Sequence, residues 1–178
     1  MTKKKTFFLI IFSLVIVIFI VFKSFDSKNI DIKKEPDNLS FVDVSESKFF
    51  NYDYYVKINS NKETPEYISI IFTMDIEPKV DGKFENVIAT AFINKEVQKS
   101  MAVDSYYTFG VSETEPLSID RNNSEKKGFS IARGTWLYKD TDIDKLITDL
   151  RLGIDVEVTW DGGKEYVHIN DVKIENYE

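Results

Sequence analysis

From position 50 onward the chain alternates apolar and polar residues over runs too long to be accidental. Phe50, Tyr52, Tyr54, Val56 and Ile58 share one parity, and Ile68, Ile70, Phe72, Met74 and Ile76 form a second such run. Successive side chains of a strand point to opposite faces, whereas a helical stripe repeats every three to four residues, so a period of two predicts strands with one buried face. The pattern continues at 87–93 and, interrupted by Ser105, at 101–111. Over 129–138 either face carries apolar residues. The clearest stretch is Leu150, Leu152, Ile154, Val156, Val158 and Trp160, followed by Asp161-Gly162-Gly163-Lys164 and an apolar return over 166–174. Glycines between two alternating runs predict a hairpin.

Helical spacing is confined to two places. Asp142, Ile143, Leu146, Ile147 and Leu150 predict about two turns behind an acidic start. Residues 94–103 read as either a capped helix or part of a strand. About eight strands with few helices predict a mainly β fold, an antiparallel β-sandwich with one short helix. The pattern resembles that of immunoglobulin-like modules, although the Cys and Trp hallmark is missing because the chain has no cysteine. A helix at 94–103 would favour the alternative, an α+β domain with a curved antiparallel sheet.

Ahead of this domain stand Lys3, Lys4 and Lys5, then residues 6–22, in which only Thr6 and Ser13 are not apolar, then Lys23. Seventeen helical residues span about 26 Å, close to the hydrocarbon thickness once flanking lysines snorkel. The block is expected to be a transmembrane signal-anchor helix in contact with the lipid bilayer. No small-residue cleavage site follows it, which argues against a removed signal peptide. The expected organisation is a cytosolic tail (1–5), the membrane helix (6–22), a polar linker (23–40) and an extracytoplasmic β domain (41–178). The short lysine-rich tail argues for a cytosolic N-terminus and a single-pass protein of the cell membrane.

Composition removes most catalytic chemistries. Zero cysteines and one histidine leave no thiol nucleophile, no disulfide scaffold and no metal cage built on two imidazoles. His168 reads as a half-exposed strand residue, since a catalytic imidazole needs an orienting carboxylate and a nucleophile. Gly128-Phe129-Ser130-Ile131-Ala132 lacks the final glycine and the strand-turn-helix of a nucleophile elbow. The S-x-x-K matches at Ser45 and Ser124 lack their companion motifs. Asp140, Asp142 and Asp144 imitate the start of a calcium loop, but Lys145 and Arg151 occupy the positions of its glycine and bidentate glutamate. Helix capping accounts for this cluster better than an ion does. Catalytic residues, cofactors and metals are therefore expected to be none, and the protein is read as not an enzyme.

The aromatic residues point elsewhere. Tyr54 and Tyr55 are adjacent, as are Tyr106 and Tyr107, and neighbours on a strand cannot both enter one core. These four are the expected partner-binding residues, because exposed tyrosine is rigid and amphipathic. Setting aside Lys3, Lys4, Lys5 and Lys23 leaves 19 basic against 30 acidic residues, a formal charge of −11 from Ser24 onward. Such a surface repels nucleic acid. The function expected is a tethered binding or assembly module for a neutral or basic protein of the cell envelope, without catalysis. The alternatives are an immunity-type inhibitor of a toxic protein and an envelope hydrolase.

Overall fold

The computed structural model describes residues 40–60, 67–103 and 107–177, all inside one compact unit, Lys33–Glu178. The apolar run at 6–22, most of the linker and Tyr106 lie outside the described residues. Among the described residues no helix is long and apolar enough to cross a membrane.

The described residues form a β-sandwich, as the alternation predicts. In chain order the strands are β1 (Val42–Asp43), β2 (Phe50–Ser60), β3 (Tyr67–Pro78), β4 (Lys83–Phe92), β5 (Thr108–Gly110), β6 (Leu117–Asp120), β7 (Phe129–Tyr138), β8 (Ile154–Trp160), β9 (Gly163–Ile169) and β10 (Val172–Tyr177). One sheet runs β1-β9-β8-β4-β5, with β6 also on β4, and the other runs β10-β2-β3-β7. Two pairs are parallel, β1 with β9 and β10 with β2. The first long strand and the last therefore share a sheet, whereas immunoglobulin sheets separate their first and last strands. What the two architectures have in common is the sandwich.

Phe50, Val56, Phe72 and Met74 from the four-stranded sheet pack with Val87, Ala89, Val156, Val158 and Val167 from the other in a single buried cluster. At one end of it the Trp160 ring lies 5.3 Å from Phe50 and 5.6 Å from Phe84. Edge-on aromatic contacts of this kind add about 0.5–1.5 kcal/mol each beyond the area they bury. The Trp160↔Gly163 pair closes the predicted hairpin through Asp161 and Gly162. Gly162 has φ +106°, a conformation that favours glycine.

Residues 166–174 do not form one strand. The chain leaves the first sheet after Ile169, turns at the exposed Asn170 and Asp171, and enters the second sheet as β10. Val167 and Ile169 face the core at odd positions, while the partly buried Val172 and Ile174 face it at even ones, so the polar pair shifts the parity as well as the sheet. Leu150 ends a helix instead of starting a strand, and Leu152 is exposed. Between that helix and β8 stands Gly153 at φ +88°, where a Cβ would collide with the Ile169 carbonyl. Among the described residues of 101–111 the strand is β5, with Met101 making an isolated bridge to Leu137. In β7 the odd positions Ile131, Thr135 and Leu137 are buried, which settles its facing.

Helix α1 (Lys95–Gln98) lies within 94–103, capped by Asn94, whose side chain accepts from the Glu96 amide at 2.8 Å. Helix α2 (Ile143–Leu150) is capped by Asp142, which accepts from the Lys145 amide at 3.0 Å, and it buries Leu146 and Leu150. Capping is thus the role Asp142 performs. Among the described residues no group of three or more histidine, aspartate and glutamate side chains is arranged to hold a metal ion.

Burial pushes the Tyr52 and Tyr54 hydroxyls far above the ordinary tyrosine range, and the Glu165 carboxylate pushes Tyr52 further. In the unfolded chain both would ionise near pH 10. Their contribution to stability is therefore complete below that pH and lost as pH rises beyond it. Alkaline titration followed by phenolate absorbance should leave two tyrosines silent until circular dichroism reports unfolding. Smooth ionisation of every tyrosine in a still-folded domain would contradict this.

Candidate interaction face

The outward positions of the four-stranded sheet are not uniformly polar. An antiparallel sheet with one solvated face ordinarily alternates apolar-in with polar-out. Here Tyr67 and Ile71 on β3 and Trp136 and Tyr138 on β7 all point outward, with Trp136 38% and Tyr138 50% exposed. The registers Tyr67↔Tyr138, Ser69↔Trp136 and Ile71↔Gly134 place these residues in three successive rows. The Tyr67 and Tyr138 rings are 6.0 Å apart. Gly134 leaves a gap in this apolar surface, since a Cβ added there would meet only the Ile71 side chain, at 3.9 Å.

Farther along the same face the character changes to acidic. Asp53 on β2 is paired directly with Asp75 on β3, and Asn51 with Glu77. Like charges opposite each other destabilise a sheet. Lys173 on β10 offsets part of this, with its ammonium 2.6 Å from Asp53 Oδ1 and 4.7 Å from the centre of the Tyr55 ring. Asp75 also accepts from the Ser130 hydroxyl. Asp53, Asp75, Glu77 and Ser130 line a cleft of about 380 Å³ together with Tyr52 and Phe129.

The four tyrosines expected to bind a partner are not brought together. Tyr54 faces the core and is 2% exposed, so it takes no part in a docking surface. Tyr55 lies on the outer face, half-buried under Lys173. Tyr107 is half-buried beside the other sheet, where its carbonyl accepts from the Ile93 amide. Tyr106 lies outside the described residues. Changing Tyr54 to Ser should cost about 3–5 kcal/mol of stability, as for other large buried aromatics. Changing Tyr55 to Ser should cost less than about 1 kcal/mol. Urea denaturation would distinguish the two, and equal midpoints would contradict the assigned facing. Trp136 and Tyr138 are not placed by the sequence, because either face of 129–138 carries apolar residues, whereas the alternation of β3 already puts Tyr67 on the outward parity. The small outward residues Ala132 and Gly134 beside a tryptophan were the signal.

His168 has a carboxylate partner that its sequence neighbours do not reveal. It pairs in register with Asp155 on one side and Asp43 on the other. Its Nδ1 lies 2.8 Å from Asp155 Oδ1. The other ring nitrogen, Nε2, lies beside Gly153. The adjoining cleft of about 160 Å³ is lined by Phe92, Asn94 and Lys95 among others, and no hydroxyl or thiol is among its described lining residues. Asp155 and His168 thus stand together at one edge of this cleft.

No protein-family model and no curated protein matches this chain. Among solved structures, a GH20 exo-β-N-acetylglucosaminidase from Vibrio harveyi in complex with N-acetylglucosamine aligns with 71% of this chain at 10% identity and a TM-score of 0.35. The chain spans 19% of that enzyme's length. An uncharacterised β-sandwich protein from Clostridium difficile 630 aligns with 75% of this chain and 99% of its own, at 15% identity and a TM-score of 0.23. At these TM-scores neither likeness transfers an activity or a ligand.

Proposed function

We propose that this chain is a membrane-tethered, extracytoplasmic binding module that docks a polypeptide of the cell envelope on the outer face of its four-stranded sheet. The observation that carries the reading is the half-exposed row of Tyr67, Ile71, Trp136 and Tyr138 beside an acidic cleft. Contiguous apolar groups on a solvated sheet face are a feature of interaction sites, and tryptophan and tyrosine are the residues that anchor them. The formal charge of −11 beyond Ser24 selects a basic partner and speeds its encounter. Residues 6–22 serve as the anchor, with the N-terminus in the cytosol, and the linker to residue 40 reaches up to about 56 Å from the bilayer. No chemical step belongs to this reading.

The test is crosslinking and capture with the intact protein in its own membrane. A basic partner captured by the wild type at low salt, weakened by added salt and lost in Trp136→Ala, supports the proposal. Capture that persists unchanged in Trp136→Ala and at high salt overturns it. Protease added to intact cells should remove the domain and leave a membrane-bound fragment, and full protection would refute the orientation.

A further inference from the structure

Lys173 occupies the boundary between the acidic and the apolar halves of this face. Its ammonium is held by Asp53 Oδ1 at 2.6 Å, lies 3.5 Å from the Tyr55 hydroxyl and sits over that ring. A carboxylate beside an aromatic face is a seat for an ammonium or guanidinium group. The seat is shallow and wet, since the Lys173 and Asp53 side chains are 52% and 57% exposed. Exposed ion pairs contribute little to stability and exchange readily. The neighbouring carboxylates Asp75 and Glu77 carry two further charges, and the nearby Lys79 directs its ammonium to the Ser47 carbonyl instead. Of these three carboxylates Lys173 is bound to one, Asp53.

Resting on the docking reading above, we propose that Lys173 is an internal stand-in for a cation of the partner. The partner is an extended basic segment that displaces Lys173 from Asp53. It sets its own lysine or arginine among Asp53, Asp75 and Glu77, and lays an apolar side chain in the gap at Gly134. Asp75 and Ile71 lie four residues apart on β3, about 13 Å along the strand. Side chains four apart in an extended segment share a face, so a cation and an apolar residue at that spacing reach both halves at once.

The probe is the capped peptide Lys-Ser-Lys-Ser-Thr-Ser-Leu, titrated at low salt into the full chain in detergent and followed by amide chemical shifts. Binding by the wild type, tightened about fivefold in Lys173→Gln and kept within about twofold in Lys173→Arg, supports the stand-in. A control peptide with leucine beside the second lysine should bind more weakly. Wild-type binding that Lys173→Gln leaves unchanged or weakens overturns the stand-in while the docking face survives. Failure of both the wild type and Lys173→Gln to bind overturns the docking reading and the stand-in with it. Melting temperatures of both variants within a few degrees of the wild type show that folding is not what changed.

Discussion

Replacing Glu165 with alanine is expected to lower stability by about 3–5 kcal/mol, the range for stripping one member from a buried charged network. Glu165 is 8% exposed and lies on β9 with its side chain turned into the sandwich. Its Oε2 accepts from the Lys48 and Phe49 amides at 3.0 and 3.1 Å. Its Oε1 lies 2.6 Å from the Ser47 hydroxyl and 3.1 Å from the Tyr52 hydroxyl. This one carboxylate fixes the turn that delivers the chain from β1 in one sheet to β2 in the other. Alanine would leave two amides and a phenol without their acceptor in a place water reaches poorly, and each such group costs about 1–3 kcal/mol. For a domain of this size the melting temperature should fall by roughly 10–15 °C. Glutamine should fall between alanine and the wild type, because its amide accepts on one side and opposes a donor on the other. A Glu165→Ala domain melting within about 3 °C of the wild type would show that the network is ornamental.

That prediction turns on a feature the sequence carried openly. Glu165 shares its parity with Val167 and Ile169, so a charge at an inward position of β9 announces a buried partner without naming it. The partners come from residues more than a hundred positions away, and local patterning holds no information about them. The same limit governs His168 and Asp155, which meet only because the hairpin register places them opposite each other. Strands and helix caps were legible because they depend on neighbours two to four residues distant. The passage of the chain from β9 to β10 was legible too, through the parity change at Asn170 and Asp171, but an apolar run invites extension across a break of only two residues. On the candidate face, Tyr55 could be placed outward only relative to Tyr54, whereas Trp136 and Gly134 needed the facing of β7. Asp53 and Asp75 become one acidic end only when the register of β2 against β3 is known.

Valine at Gly134 should weaken docking roughly tenfold or more while leaving the domain as stable as before or more so. Gly134 sits mid-strand on the solvent face, and an added Cβ would meet only Ile71, at ordinary van der Waals distance. Glycine inside a strand forfeits about 0.5–1 kcal/mol of conformational entropy. Valine recovers that and prefers the strand conformation. The melting temperature should therefore hold or rise by a few degrees. The two methyl groups would fill the gap between Ile71 and Trp136 that an incoming apolar side chain needs, and overfilling a packed contact costs about 1–3 kcal/mol. Binding of a basic partner should weaken roughly tenfold or more. Trp136→Ala reaches a similar loss by the opposite route, removing the anchor instead of blocking its neighbour, at about 2 kcal/mol or more. A surface that binds through this gap must respond to both variants. A surface that binds elsewhere responds to neither, and a domain whose Gly134 serves only folding loses stability with valine instead of binding. Thermal denaturation and partner capture with the same two proteins separate these three outcomes.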